Sequence, residues 1–369
     1  MIDVVALTRG LVGLDTVDKA ESEALKSLAP LLEGAGFTVA ISEHEPGRGT
    51  LVAEWRTELD VPPLCLSGHV DTVPLGSAPW RHDPFGEIDG DRLYGRGASD
   101  MKGGVAAIVL AAIRIAAATP RRAGLRLVLT AAEETGSLGA RHVARSLLGG
   151  PSGPLVIAEP TGNTVVHGHK GALWLEALAT GVTAHGSMPS LGDNAIYKLA
   201  RAVSRFQDHR FEDGPHPVMG SPTLNVGTIQ GGLNTNSVPD RAVATVDIRT
   251  ITGQHHEEVA ACLARAAGPD VKLRPLVDLP PVWTDPDDAW ARSVAEIVRQ
   301  VTGQAGEPRA ATYFTDASVL TPALGSVPTV VCGPGEAEQA HVTDEWCSVT
   351  RLAESVEIFE RICADWCAV

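Results

Sequence analysis

The sequence predicts an α/β protein: a mostly parallel sheet covered by helices on both faces, with an inserted ferredoxin-like α+β domain. Three observations predict this fold class. Buried strand patterns alternate with helical patterns through the first part of the chain. Longer, half-exposed strand patterns begin near His167. Aromatic residues make up only 4% of the chain, whereas Ala, Val, Leu and Gly are abundant, which suits layered α/β packing.

The N-terminal part predicts alternating helices and strands from its apolar periodicity. Helices are expected over 2–13, 18–35, 100–118 and 137–148, a strand pair over 37–55, and buried strands over 63–68, 124–133 and 153–160. Because a helix separates successive buried strands, those strands are expected to run parallel.

The middle of the chain predicts a different arrangement. Its strand and helix patterns follow a βαββαβ order, with helices over 194–208 and 253–268 and strands over 170–184, 221–232 and 241–250. That order is typical of a ferredoxin-like sandwich. A helix over 287–303 and a strand over 327–333 then return to the first pattern. We therefore expect one domain from 1–165 and 277–369, and an inserted domain from 166–276.

Composition excludes several classes of function. The 369 residues carry a formal net charge of −15, which argues against nucleic acid or anionic lipid as a partner. The N-terminus lacks the basic and apolar regions of a secretion signal, and no uncharged stretch of about 20 apolar residues is present. We therefore expect a cytoplasmic protein that does not enter the membrane, with its six cysteines as reduced thiols.

Metal-compatible side chains recur where predicted strands end. His69 and Asp71 close one strand, and at a side-chain period of two the carboxylate could orient the imidazole. A polar loop is the alternative interpretation. Asp100 begins a predicted helix, where a helix cap is the simpler explanation.

The adjacent pair Glu133–Glu134 follows another buried strand pattern. On extended backbone the two side chains must project to opposite sides and so serve different purposes. Two unpaired buried carboxylates would be costly, and a divalent cation would remove that cost. A solvated acidic pair in a loop is the alternative.

Glu159 ends a third strand, and His341 follows the last one. In a parallel sheet the carboxyl ends of the strands meet in one crevice, so we expect these groups to converge. Two histidines with three or four carboxylates suit two zinc-like ions better than Mg²⁺ or Ca²⁺.

Five ordered motifs carry a family resemblance. The segments SGHVDTVP, YGRGASDMKGG, EETGS, AEPTG and AHGSMP resemble the signatures of the co-catalytic dizinc aminoacylase and metallopeptidase superfamily. That superfamily includes acetylornithine deacetylase, succinyl-diaminopimelate desuccinylase and glutamate carboxypeptidase. The resemblance runs from about residue 60 to about residue 345.

The resemblance implies two divalent metal ions, with zinc as the native metal and cobalt or manganese as substitutes. His69, Asp100 and Glu159 would hold one ion. Asp100, as a bridging ligand, would hold the other together with Glu134 and His341. The domain 1–165 plus 277–369 is then the zinc-binding catalytic domain.

Further roles follow from the same resemblance. Asp71 would orient His69, and Glu133 would be the general base toward water. The peptide bond between Asp100 and Met101 would be cis. The inserted domain 166–276 would act as a lid and as the contact surface of a homodimer.

The inserted domain offers its own candidates. His185 resembles a histidine that reaches the partner subunit's active site and polarises the scissile carbonyl; a surface histidine is the alternative. Asn236 and Arg249 resemble a substrate-anchoring pair, with Asn234 as the rival asparagine. Arg249 could grip a substrate carboxylate through two hydrogen bonds, or form a salt bridge at a strand edge.

The predicted function is a dizinc hydrolase that cleaves the amide bond of an N-acylated amino acid, as a deacetylase or desuccinylase does. A metallo-carboxypeptidase or dipeptidase on the same site is the first alternative, with a short peptide as substrate. A non-catalytic protein that binds an amino-acid derivative is the second. The first alternative shares the metal chemistry and differs in the acyl pocket, to which the segment 311–320 is expected to contribute.

Overall fold

The structure, a computed structural model, describes residues 3–17, 19–146, 148, 150–304 and 306–369. Small parts of the helices predicted over 2–13, 18–35 and 137–148 lie outside the described residues. In chain order the strands are β1 Thr38–Glu45, β2 Arg48–Trp55, β3 Val61–His69, β4 Glu87–Asp89, β5 Arg92–Tyr94, β6 Ala123–Thr130, β7 Leu155–Ile157, β8 Gly168–His169, β9 Gly171–Thr180, β10 Thr223–Gly231, β11 Arg241–Thr250, β12 Val271–Leu279, β13 Val282–Trp283, β14 Thr329–Val331 and β15 Trp346–Ser348.

The α-helices carry apolar faces, and some of them begin at a capping side chain. In chain order they are α1 Val4–Val12, α2 Glu21–Gly34, α3 Gly103–Ala116, α4 Leu138–Ser146, α5 Ala195–Gln207, α6 His256–Ala267, α7 Ala289–Thr302, α8 Ala317–Ala323 and α9 Val349–Cys367. Asp3, Asn194, Asp288 and Ser348 each accept a backbone N–H at the start of a helix, which satisfies a donor that the helix itself leaves unpaired.

The chain forms two compact units. Unit 1 comprises Met1–Gly168, Trp283–Arg309 and Thr315–Val369, and unit 2 comprises His169–Val282 and Ala310–Phe314. The domain limit predicted after residue 276 lies inside β12. Residues Ala310–Phe314 also belong to unit 2, whereas the predicted domain organisation places them in the first domain.

Unit 1 is built on a six-stranded sheet in the order β1-β2-β6-β3-β7-β14. The four strands from β6 to β14 run parallel, and β1 and β2 add an antiparallel edge. The predicted α/β fold class, with its mostly parallel sheet, is confirmed. A second small sheet, β15-β5-β4, and the long helix α9 were not predicted.

Helix α3 lies at the centre of the unit 1 core, and every residue from Val105 to Ala112 is buried. Its small side chains permit close packing on both faces. At Gly104, a Cβ would lie 2.0 Å from the carbonyl oxygen of Ala158. Only glycine therefore lets α3 approach the end of β7, one residue before Glu159.

Unit 2 is a four-stranded antiparallel sheet in the order β10-β11-β9-β12, with α5 and α6 packed on it. Its strands and helices follow the predicted βαββαβ order. Alternate residues of β9, such as Leu173 and Leu175, pack with Leu199, Phe206 and Leu263 from the helices. The period-two burial of β11 reflects a sheet with one covered face.

No helix within the described residues is long and apolar enough to cross a membrane. The six cysteines are free thiols, and five of them are buried.

Candidate metal centre

The carboxyl ends of three adjacent parallel strands bring the predicted ligands together. β6, β3 and β7 are neighbours in the sheet. His69 is the last residue of β3, Glu159 comes two residues after β7, and Glu133 and Glu134 come shortly after β6. Residues that follow parallel strands on the same edge share one crevice, which explains the convergence.

Asp71 contacts both the imidazole and the backbone of this crevice. The Nδ1 atom of His69 lies 3.0 Å from the carbonyl oxygen of Asp71 and 3.5 Å from its carboxylate. The two carboxylate oxygens of Asp71 accept the backbone N–H groups of Glu133 and Glu134, each at 3.1 Å. Asp71 therefore orients the ring and holds the neighbouring acidic turn.

Asp100 lies between two imidazoles. Its Oδ1 is 3.2 Å from Nε2 of His69, and its Oδ2 is 3.3 Å from Nε2 of His341. It sits in the irregular turn Ala98–Lys102, just before α3, and the expected cis peptide bond to Met101 is present. One carboxylate thus presents one oxygen to each histidine, as a bridging ligand would.

Each of the two remaining acidic side chains, Glu159 and Glu134, lies beside one of the two histidines. Glu159 Oε1 lies 3.7 Å from His69 Nε2, and Glu134 Oε1 lies 3.0 Å from His341 Nε2. Among the described residues, one atom each of His69, Asp100 and Glu134 lie within 4.8 Å of one another, which is close enough to share an ion. His341 is the most exposed member, with 52% of its side chain accessible.

Glu133 and Glu134 do differ in environment, but the extended-backbone argument for that difference is wrong. β6 ends at Thr130, and the pair lies in a turn in which Gly136 and Ser137 donate to the Glu133 carbonyl at 2.8 and 3.0 Å. The turn points Glu134 at His341, whereas Oε1 of Glu133 is buried without a hydrogen-bond partner among the described residues.

The buried carboxyl groups and imidazoles of the cluster shift one another's pKa values. Burial raises the pKa of Glu133 and of Glu159 well above the ordinary range, and it raises the pKa of Glu134. Hydrogen bonds to Asp100 and Glu134 raise the pKa of His341 to about 10. Although burial opposes it, contact with His341 and His69 lowers the pKa of Asp100.

This donor set fits divalent cations. The cluster contains more carboxyl groups than imidazoles, so with its acids ionised it would carry net negative charge even with both histidines protonated. Buried carboxylates of this kind are normally paired with cations or coordinate metals. Mixed imidazole and carboxylate ligands favour zinc or a similar transition metal over Mg²⁺ or Ca²⁺.

Glu345 is a site residue that the sequence analysis missed. Its carboxylate accepts the backbone N–H groups of Gly97, Ser99 and Asp100 and also pairs with Arg96 at 2.7 Å. Burial raises its pKa to about 7. No sequence pattern marked it, because Glu345 precedes a short antiparallel strand, whereas His69, Glu133, Glu134 and Glu159 end or follow parallel strands.

Asp316 is the second missed residue. It lies in the segment expected to line the acyl pocket, is only 2% exposed, and accepts a short hydrogen bond from the Thr130 hydroxyl. Burial raises its pKa to about 6. No sequence pattern separates it from an ordinary helix cap.

The candidates in the inserted domain all belong to unit 2. His185 is exposed, and its Nδ1 lies 2.8 Å from the Ser187 hydroxyl. Asn236 is exposed as well, and its carbonyl oxygen accepts the N–H of Gly186 at 2.7 Å. His185 and Asn236 therefore lie on neighbouring stretches of backbone. Asn234, the rival asparagine, is also exposed.

Arg249 lies on β11, where Asp247 holds its guanidinium at 2.9 Å. The guanidinium carbon also lies 6.0 Å from the ring centre of Phe314. The salt bridge considered as the alternative interpretation is thus present, and it engages both Nε and Nη2 of the guanidinium.

Relatives of known name match almost the whole chain. An acetylornithine deacetylase from Vibrio campbellii is 31% identical over 367 residues, covering 95% of this chain and 93% of that protein. A probable succinyl-diaminopimelate desuccinylase from Staphylococcus epidermidis is 30% identical over 398 residues, covering 98% and 96%.

Solved structures share the fold. A family M20 metallo-carboxypeptidase from Sulfolobus solfataricus superposes with a TM-score of 0.80 at 18% identity and covers 100% of both chains. A Bacillus subtilis protein described as a dinuclear metal binding peptidase gives 0.74 at 17% identity, covering 99% and 98%. The family model for peptidase family M20/M25/M40 matches residues 65–365. The chain is a hydrolytic enzyme that acts on amides and belongs to peptidase family M20/M25/M40.

Proposed function

We propose that the protein is a dizinc hydrolase that releases the acyl group from an N-acylated amino acid. The position of Asp100, with one carboxylate oxygen toward His69 and the other toward His341, carries the proposal. His69, Asp100 and Glu159 would hold one ion, and Asp100, Glu134 and His341 the other. Two divalent ions supply Lewis-acid chemistry, which lowers the pKa of water and polarises a carbonyl.

Glu133 is the proposed general base. Its Oε1 is buried, has no hydrogen-bond partner within the described part of the chain, and lies on the same turn as the proposed ligand Glu134. It would take a proton from the attacking water at this atom and pass it to the leaving amine. Asp71 would keep Glu133 in place through its backbone N–H and fix the ring of His69.

Unit 2 would recognise the substrate. Arg249 would bind the substrate carboxylate through parallel N–H groups, and Asn236 would bind near the scissile amide. His185 of the partner subunit would donate to the oxyanion that forms at the carbonyl. His185 and Asn236 are both exposed, so their side chains are accessible to a substrate or to a second subunit.

A homodimer through unit 2 follows from this role of His185. β10 is an edge strand of the unit 2 sheet. Large apolar side chains of this strand and of the segment just after it are exposed, with Ile229 at 53% and Leu233 at 96%. An open strand edge with exposed apolar side chains is a template for pairing with another chain, which would here be a second copy.

Mixing two inactive variants tests the shared site. His185→Ala and Glu133→Gln dimers should each be inactive, whereas subunit exchange should restore activity in hybrid dimers. In a hybrid, one site combines an intact Glu133 with His185 of the partner subunit. A mixture that stays inactive although subunits exchange would contradict a site completed across the dimer.

A substrate panel separates deacylase from peptidase. The names of the two relatives above support a deacylase. N-acetyl, N-succinyl and N-carbamoyl amino acids would be compared with dipeptides and acyl-glutamates, each with added Zn²⁺, Co²⁺ or Mn²⁺. A higher kcat/KM for an N-acyl amino acid supports the proposal. Faster hydrolysis of dipeptides would assign a carboxypeptidase or dipeptidase instead, and binding without turnover would contradict an enzyme.

A further inference from the structure

Asp316 is a buried carboxyl group that the proposed mechanism does not use. It precedes α8, is 2% exposed, and accepts a hydrogen bond from the hydroxyl of Thr130, the last residue of β6. Its Oδ1 is buried without a hydrogen-bond partner among the described residues. A buried acid with so few partners is costly, so its contact with Thr130 requires an explanation.

The turn that follows Thr130 has an unfavourable backbone at both ends. Ala132, before the acidic pair, has φ of 56°, and Ser137, after it, has φ of 58°. Left-handed backbone is disfavoured for residues that carry a Cβ, and it persists where surrounding contacts enforce it. The position of Glu133 therefore depends on what holds this turn.

Two carboxylates hold the turn from different sides. Asp71 accepts the backbone N–H groups of Glu133 and Glu134. Asp316 instead holds the side chain of Thr130, whose carbonyl oxygen accepts the N–H of Val70 at 2.9 Å. Thr130 is thus fixed at both its backbone and its side chain, three residues before Glu133.

We infer that Asp316 is a positioning residue for the general base, acting through Thr130 on the turn that carries Glu133. The inference rests on the proposed function of Glu133. Displacement of a reacting group by about 1 Å can cost a hundred-fold in rate. Holding the end of β6 in place would therefore keep Glu133 in its reactive position. Asp316 itself would touch neither the substrate nor the ions.

The first experiment compares Asp316→Asn and Thr130→Val with Thr130→Ser, at saturating Zn²⁺ so that loss of metal does not contribute. We expect kcat to fall about ten- to hundred-fold in the first two variants, with little change in KM. Thr130→Ser keeps the hydroxyl and should remain close to the unchanged enzyme. Thr8→Val removes another buried hydroxyl, in α1, and serves as the control.

The second experiment repeats Asp316→Asn in the Glu133→Gln background. If Asp316 acts only through Glu133, the second substitution should lower kcat no further. An additional loss of the same size would show a general structural role and overturn the inference. So would unchanged kcat in both Asp316→Asn and Thr130→Val while Glu133→Gln is inactive. If Glu133→Gln itself is fully active, the proposed function fails first.

Discussion

Glu345 accepts the backbone N–H of Asp100 at 3.0 Å. This contact joins the only proposed ligand of both ions to a buried carboxylate from a distant part of the chain. The same carboxylate also binds the N–H groups of Gly97 and Ser99, so it fixes the whole irregular turn before α3. Hydrogen bonds from residues that do not themselves bind the metal set the orientation of a metal-binding side chain.

Glu345→Gln should weaken zinc binding by about ten- to hundred-fold, because the amide cannot accept all four donors that the carboxylate accepts. Competition with a chromophoric chelator measures the affinity. Glu296→Gln, which changes an exposed acid paired with Arg299, is the matched control. Equal zinc affinities in the two variants would show that Glu345 does not support Asp100.

Glu133→Gln should retain both ions and lose about 10²- to 10⁴-fold in kcat, because the amide cannot accept the proton from water. Metal analysis after gel filtration and steady-state kinetics give the two readouts. Glu134→Gln on the same turn provides the contrast, since it should lose metal first. Near-full activity in Glu133→Gln would remove the general-base assignment.

Removal of the metal should make stability depend on pH. Without cations, the pKa values of Glu133, Glu134 and Glu159 are raised by burial, and that of His341 is raised to about 10 by its acidic partners. Groups whose folded pKa is raised stabilise the protein below their unfolded pKa and lose that contribution as pH rises. The chelated protein should therefore unfold at lower temperature at pH 9 than at pH 6.

Added zinc should remove most of this difference, because an ion that binds only the folded chain stabilises it and replaces the protons. Differential scanning fluorimetry with chelator, and then with excess Zn²⁺, measures both effects. A melting temperature that is independent of pH in the chelated protein would argue against an uncompensated acidic cluster.

Arg249→Lys should raise KM by about ten- to hundred-fold for substrates with a free carboxylate, because lysine cannot form the two parallel hydrogen bonds. Substrate analogues with a carboxamide in its place should show no such increase. Arg274→Lys, on β12 of the same sheet, is the control. An equal increase in KM for both substrate types would show that Arg249 supports the structure of unit 2 and does not bind the substrate carboxylate.

His169 should contribute a pH dependence of its own. It is buried, its ring Nδ1 lies 2.9 Å from the Lys170 carbonyl oxygen, and burial lowers its pKa to about 4. The unfolded chain takes up the proton near pH 6.5, so stability falls as the pH is lowered from about 6.5 to about 4. The full effect is of the order of 3 kcal/mol.

His169→Asn keeps a side-chain N–H donor and removes the titration. Urea unfolding at pH 7.5 and pH 5 should show a smaller loss of the free energy of unfolding in this variant than in the unchanged protein. The exposed His255 offers the control, His255→Asn. Equal losses in the unchanged protein and His169→Asn would show that His169 does not remain neutral when folded.

The periodicity of the sequence was sufficient for the fold class. The strand pattern around Leu64–Leu66 and the helical pattern of α3 are buried, as expected. The βαββαβ order of unit 2 is also present. Burial leaves a direct pattern in local sequence, because one covered face imposes a period of two on strands and a covered stripe imposes 3.6 on helices.

The limits of the elements were predicted less well. β6 ends at Thr130, three residues before the acidic pair that was expected on extended chain. Two left-handed residues, Ala132 and Ser137, shape the turn instead. Gly136, which has φ of 107°, is the local signal of a turn after the pair. Nothing local marks the start of the turn at Ala132, and the contacts from Asp71 and the inferred effect of Asp316 come from far away in the sequence.

The sequence by itself determined the α/β class, the βαββαβ order of unit 2 and the chemical types of the donor groups, because these depend on local patterns and on residue identity. The proposed cytoplasmic location and homodimer stay predictions. Only the tertiary structure decided that Asp100 lies between His69 and His341, and that Glu345 supports it. Such relationships join residues up to 245 positions apart, and they exist only once the strands are placed side by side.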